Sequence, residues 1–306
     1  MSINTDGPEG KNVLSDFREN EIRAFFSNFL KWELLYNNFD VQFLNVDTDK
    51  EENRGFDFLY GMYEPFLRDS FRHGVIVEVK GIRDETLFNK GRLTKDIDVL
   101  KHKIESALLS KNLHDDPKIQ EKDINYFKYG ILCYRFTNFD NEKCKKVLME
   151  YQISGLKNGD MFPTIFVLTN DRISTFFHLK REYNNIEFYY PYYREHATNG
   201  YESKLSLSYL FSDIIPFKTH ENNNTIKNIL FFDVPSPLSF KLLENFCGRY
   251  QYHDIDRIIL ANSDYTKKEI YKSYLSDWEQ NSKKKIEISC LENDQNIRKD
   301  LAEVFR

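Results

Sequence analysis

The sequence predicts an α/β protein: a mixed β-sheet core flanked by helices, followed by a small C-terminal parallel βα module. Three patterns carry this. Runs rich in β-branched and aromatic residues at 55–60, 75–81 and 129–136 read as strands. Apolar residues at helical spacing mark amphipathic helices at 22–30 and 97–108. Beyond residue 225, strand-like and helix-like segments alternate three times, as in a parallel layer.

The elements follow in order. Residues 1–14 are a polar lead. Asp16 and Glu19 have the spacing of a capping box, and Ile22, Phe25, Phe26, Phe29 and Leu30 line one face of a helix reaching residue 36. A first strand falls at 41–46, a charged turn at 47–54, a strand bearing Asp57 at 55–60, and a surface excursion with Pro65 at 61–73. The strand at 75–81 ends at Gly81. Thr94 is a candidate N-cap for a helix whose buried stripe is Ile97, Leu100, Ile104 and Leu108. A polar loop at 112–123 precedes a strand at 129–136 and a helix at 142–151. Segments 164–168 and 173–177 read as a hairpin about Asn170 and Asp171.

Residues 183–209 interleave Tyr189, Tyr190, Tyr192 and Tyr193 with Arg194, a composition suited to stacking on bases or to ordinary packing. The Asn-rich stretch 220–225 reads as a linker, dividing the chain into domains 1–219 and 220–306. In the second, strands at 229–234, 257–261 and 285–290 alternate with helices at 238–250, 266–279 and 294–305, with Thr266 and Glu269 spaced as a capping box. Ligands in such layers sit at the carboxyl ends of strands. No glycine-rich phosphate loop stands there, which leaves a nucleotide unsupported, and this module is read as binding a partner or another ligand.

The chain has 306 residues, 41% hydrophobic and 15% aromatic, enough for a packed core. Its net charge of -5 rules out a globally basic nucleic-acid binder but leaves room for a local basic cleft. Cys133, Cys144, Cys247 and Cys290 lie far apart, without C-x-x-C spacing, which argues against zinc and for reduced thiols. No apolar run is long enough to span a bilayer, so a cytoplasmic protein without a membrane partner is expected.

The strand at 75–81 is the chemical focus. Side chains alternate along a strand, so Val75, Val77 and Val79 point one way and Ile76, Glu78 and Lys80 the other. The tripeptide acid-x-Lys occurs four times, at Glu9/Lys11, Glu78/Lys80, Asp116/Lys118 and Glu202/Lys204. Of these, Glu78/Lys80 alone lies in an apolar run and follows an acid set between aromatics, Asp57 between Phe56 and Phe58. Two readings stand: a solvated pair at a sheet edge, or a pair reconciled with its apolar surroundings by mutual pairing or by a metal.

Asp57, followed at a hairpin's distance by Glu78-Val79-Lys80, resembles the PD-(D/E)XK nuclease superfamily, although no proline precedes Asp57. The resemblance covers roughly the first two-thirds of the chain and implies a restriction-endonuclease-like core. It further implies Asp57, Glu78 and Lys80 as catalytic residues, and Mg2+ (or Mn2+) held by Asp57, Glu78 and the Val79 carbonyl. A first-helix glutamate, here Glu21 with Glu19 as second choice, would join the metal site. Some relatives carry Gln or Lys on the helix after the motif; no Gln matches here, and Lys95 is the nearest substitute. Arg72, Arg83, Lys90, Arg92 and Lys95 bracket the motif and would position phosphates. The implied activity is a Mg2+-dependent DNA endonuclease in antiphage defence or restriction. RNA cleavage at the same site, or a non-catalytic scaffold or sensor subunit of a defence complex, are the alternatives. A second copy of the chain or another protein is the expected partner of the C-terminal module.

Overall fold

The computed structural model describes residues 19–45, 50–62, 72–82, 87–137, 139–155, 163–183, 185–190, 203–261 and 264–291. The polar lead, Asp16, Pro65, Arg83, the aromatic run 191–202, Asn262, Ser263 and the helix expected at 294–305 lie outside them. The chain divides into two compact units between Ile173 and Ser174.

The first unit opens with helix α1, residues 19–29. Its end, Phe25–Phe29, is wound as a π-helix, with Leu30 N donating to Phe25 O at 3.0 Å. Lys31, at φ 57°, breaks the helix, and β1 begins at Glu33, so the helix stops short of residue 36. Phe26 stacks on Tyr60 at 5.2 Å, which places α1 over one face of the sheet.

That sheet has the order β1 (Glu33–Asn45), β2 (Lys50–Met62), β3 (Arg72–Ile82), β4 (Ile124–Phe136), β5 (Thr164–Leu168). The β1/β2 and β2/β3 pairs are antiparallel; β3/β4 and β4/β5 are parallel. A parallel pair needs a crossover, and α2 (Lys90–Leu109) supplies it between β3 and β4. Asn89 caps α2, its side chain accepting from Arg92 N at 3.0 Å; Thr94, the cap read from sequence, instead bonds back to Lys90 O.

The buried stripe of α2 is Leu93, Leu100, Ile104 and Ala107, with Leu108 38% exposed. It is therefore rotated from the expected one. Gly130 of β4 sets how closely this stripe approaches. A Cβ there would lie 2.7 Å from Ile104 Cδ1 and 3.0 Å from Leu100 Cδ2. The expected loop at 112–123 holds two short helices, α3 (Lys111–His114) and α4 (Pro117–Glu121), capped by Ser110 and Asp116. Helix α5 (Asn141–Gly155) joins the same core through Cys144 and Val147.

The expected hairpin at 164–177 is not formed. β5 is followed by α6 (Asn170–Glu182), within which the unit boundary falls. Ile173 through Leu179 are all buried, so this helix shows no amphipathic period.

The second unit is not purely parallel. Its sheet runs β10 (Glu287–Cys290), β9 (Arg257–Leu260), β8 (Asn224–Phe231), β7 (Ile214–Glu221), β6 (Glu187–Phe188). The β6/β7 and β7/β8 pairs are antiparallel; β8/β9 and β9/β10 are parallel. The stretch read as a linker at 220–225 is the turn between β7 and β8. Asn222 and Asn223 take φ of 50° and 65°, the left-handed pair that a two-residue hairpin turn requires. A boundary at 219/220 would cut this hairpin.

The short helix α7 (Leu207–Leu210) precedes β7, and α8 (Pro237–Arg249) crosses from β8 to β9. Between β9 and β10 stand α9 (Lys268–Ser273) and α10 (Ser276–Ser282) in place of one helix opened by Thr266, whose hydroxyl bonds to Asp264. Among the described residues no helix is long and apolar enough to cross a membrane.

Gly130→Ala is expected to force Ile104 and Leu100 outward and lower stability by about 1–3 kcal/mol, the usual cost of overpacking a core. A urea midpoint unchanged from the parent would show that α2 does not bear on β4 in this way.

Candidate active site

The β2/β3 ladder runs from Phe58↔Val77 to Met62↔His73. One step beyond Phe58 and Val77, side chains take over from the backbone. Val79 N donates to Asp57 Oδ2 at 2.7 Å, and Asp57 N donates to Glu78 Oε1 at 3.4 Å. On its other side β3 stays paired with β4, Glu78 opposite Leu132 and Lys80 opposite Tyr134. Leu132 and Tyr134 belong to the core beneath α2, so Glu78 and Lys80 face that helix.

Glu78 is 1% exposed and is held by two ammonium groups. Lys80 Nζ lies 3.3 Å from Oε2, and Lys103 Nζ of α2 lies 2.5 Å from Oε1. The Lys103 ammonium also lies 5.6 Å from the centre of the Phe56 ring. Beside them, Tyr134 donates to Asp96 Oδ2 at 2.7 Å, and Arg92 lies 3.6 Å from the same oxygen.

Two carboxylates and two ammoniums thus share one largely buried place. Asp57 nevertheless holds its proton more tightly than an ordinary aspartate. Burial is the main cause and the neighbouring Glu78 charge the next; the Val79 N–H, Lys80 and Lys103 pull the other way. Burial, with a contribution from Asp57, also pushes the Cys133 thiol well up, which leaves it unreactive.

The structure brings Asp57, Glu78 and Lys80 together as the sequence predicted. The Val79 N–H belongs to the same knot. Glu21 does not join it through any bond to Asp57 or Glu78 among the described residues; it is buried, and its Oε2 accepts from Arg135 Nε at 3.1 Å and Nη2 at 3.0 Å. Arg72 lies six residues before Glu78, about 20 Å along the strand, and pairs with Glu33 at 2.6 Å. Lys90 and Lys95 are exposed on the first turns of α2, and Arg92 is engaged with Asp96.

Lys103 is the residue that sequence reasoning missed; Lys95 does not take its place. The sign was present. Positions 93, 96, 100, 103 and 107 form one helical stripe, Leu-Asp-Leu-Lys-Ala, whose two charged members both face inward and are bonded.

The donors suit a hard divalent cation. Asp57 Oδ1 accepts no hydrogen bond among the described residues, and Glu78 raises the cost of ionising Asp57, a cost that a cation between them would remove. No cluster of three or more His, Cys, Asp or Glu side chains accompanies them among the described residues. Carboxylate oxygens without a neighbouring histidine or cysteine ligand among the described residues suit a hard divalent cation rather than a zinc cage.

A helix-flanked mixed sheet with an acid where β2 parts from β3, and Glu-x-Lys one strand over, defines a nuclease core of the PD-(D/E)XK class. Residues 9–172, more than half of the chain, match the model of the GAPS4 protein PD-(D/E)XK nuclease domain, and the chain belongs to that family. Enzymes of the superfamily usually work with divalent metals. No curated protein matches the chain.

Asp57→Asn provides a pH test. The folded chain binds the Asp57 proton more tightly than the unfolded chain, so the stability this group contributes is complete below its ordinary value of 3.8 and lost as pH rises through the raised one. Without metal, Asp57→Asn is therefore expected to raise the melting temperature at neutral pH, with the gain shrinking in acid. A gain that grows in acid would contradict the shift.

Proposed function

We propose that the first unit is a Mg2+-dependent endonuclease that hydrolyses DNA phosphodiester bonds, serving antiphage defence or restriction. The observation that carries this reading is the convergence of Asp57, Glu78, Lys80 and Lys103 where the β2/β3 ladder ends. Family membership supports nuclease chemistry.

Asp57 and Glu78 would hold the ion, with the Val79 carbonyl as a further oxygen. Glu21 is left out of this set, because its Oε2 is held by Arg135 and no bond ties it to Asp57 or Glu78 among the described residues. When bound, the ion supplies charge neutralisation at the scissile phosphate and an acidified water. Lys80, 27% exposed, reaches from Glu78 toward solvent and can donate to the attacking water or to a phosphoryl oxygen as charge builds there. The attacking water loses a proton to solvent as its oxygen bonds to phosphorus, the phosphorus–oxygen ester bond breaks, and the leaving oxygen takes a proton from solvent. Lys103 is suited to a phosphate once Glu78 turns to the ion, with Lys90, Arg92 and Lys95 extending that positive edge along the first turns of α2. The second unit would contact a partner protein or a second copy of the chain.

The test is cleavage of plasmid DNA and of RNA by the full chain with Mg2+ or Mn2+. Parent protein is expected to cut DNA, Glu78→Gln and Asp57→Asn to be inactive, and Lys80→Ala to lose about 10²–10³-fold. Cutting by all three variants at the parent rate would sink the assignment; cutting confined to RNA would correct the substrate.

A further inference from the structure

The second unit repeats the first, strand for strand. In each sheet the first three strands are successively antiparallel and the last two join in parallel, in unbroken order. In each, one helix crosses from the third strand to the fourth: α2 over Ile76 and Leu132, α8 over Ile229 and Ile258. In each, the connection from fourth to fifth strand packs on that same face, through Cys144 and Val147 of α5 and through Tyr271 of α9. A helix also precedes the first strand and covers the opposite face. Phe26 of α1 lies on Tyr60; Phe176 of α6 lies 6.0 Å from Phe232. Parallel crossovers have a fixed hand, so shared order and direction mean a shared fold.

The repeat locates where a second site would be. In the first unit Asp57 and Glu78 stand one step past the last β2/β3 pair, on the face toward α2, with Lys80 two residues on. In the second unit the last β7/β8 pair is Ile214↔Phe231, which faces α8. The next level on that face holds Ser212 and Asp233, and Pro235 stands where Lys80 would be.

Ser212 Oγ bonds to Ile214 N and O, and Asp233 Oδ1 accepts from Val234 N at 2.7 Å. If the last pair itself is taken as equivalent, the residues are Ile214, Phe231 and Asp233, which is further still from a metal site. Where α2 offers Lys103, α8 buries Phe240, Leu243 and Cys247. Where the start of α2 carries Lys90, Arg92 and Lys95, the first turns of α8 carry the exposed Leu238 (70%) and one lysine, Lys241, paired with Glu244 at 2.8 Å.

We infer that the second unit is a nuclease-type core without its catalytic set, so that each chain holds a single hydrolytic centre. The inference rests on the metal-dependent reading of the first unit. A chain with one centre cuts one strand per catalytic event.

Mn2+ titration calorimetry on the full chain, paired with a plasmid assay, tests this in the parent, Glu78→Gln, Asp233→Asn and the double variant. Parent and Asp233→Asn are expected to show the same Mn2+ binding and the same cleavage rate, and Glu78→Gln and the double variant to show neither. Mn2+ binding or cleavage that survives in Glu78→Gln and disappears in the double variant would overturn the inference while leaving the first unit's site in place. Absence of Mn2+ binding in every form would overturn both.

Discussion

Everything at the site depends on how β2 and β3 part. Beyond Phe58 and Val77 the backbone ladder stops, and Asp57 accepts the Val79 N–H that a strand partner would have taken. A backbone donor left unmatched away from water is costly. The carboxylate removes that cost and is fixed in place by doing so. The reciprocal bond, Asp57 N to Glu78 Oε1, ties the second carboxylate to the first. Two acids on separate strands are thereby held together, and burial with mutual repulsion leaves Asp57 reluctant to ionise.

The lysines settle the remaining charge. A carboxylate as enclosed as Glu78 needs counter-charge nearby, and Lys80 and Lys103 supply it from two elements. Lys103 can reach because α2 lies close on β4, which Gly130 permits beneath Leu100 and Ile104. Packing and chemistry are thus linked through one helix: the stripe that fills the core also delivers the ammonium. The second unit retains the same sheet and crossover helix with Phe240, Leu243 and Cys247 buried along α8 where α2 offers Lys103, so this arrangement stands without that ammonium.

The central strand was legible because its β-branched run ends in Glu-x-Lys, and Asp57 because it stands between two phenylalanines. Lys103 was not, because an apolar template passes over a charged residue even when its stem lies in the stripe. Residues 173–177 read as a strand because they are β-branched and aromatic; buried on every side in α6, they have no polar face to reveal a helical period. Asn222 and Asn223 read as a linker for the reason that makes them a turn: asparagine tolerates the left-handed backbone both uses demand. The likeness between the units lies in strand order and direction, which no local pattern in the chain encodes.

A crystal structure of the chain with Mn2+, phased on the manganese signal, tests the central claim most directly. An ion is expected between Asp57 and Glu78, with a carboxylate oxygen of each about 2.1 Å away and Lys103 displaced from Glu78 Oε1. Manganese absent there, with both lysines still on Glu78 at saturating metal, would contradict it.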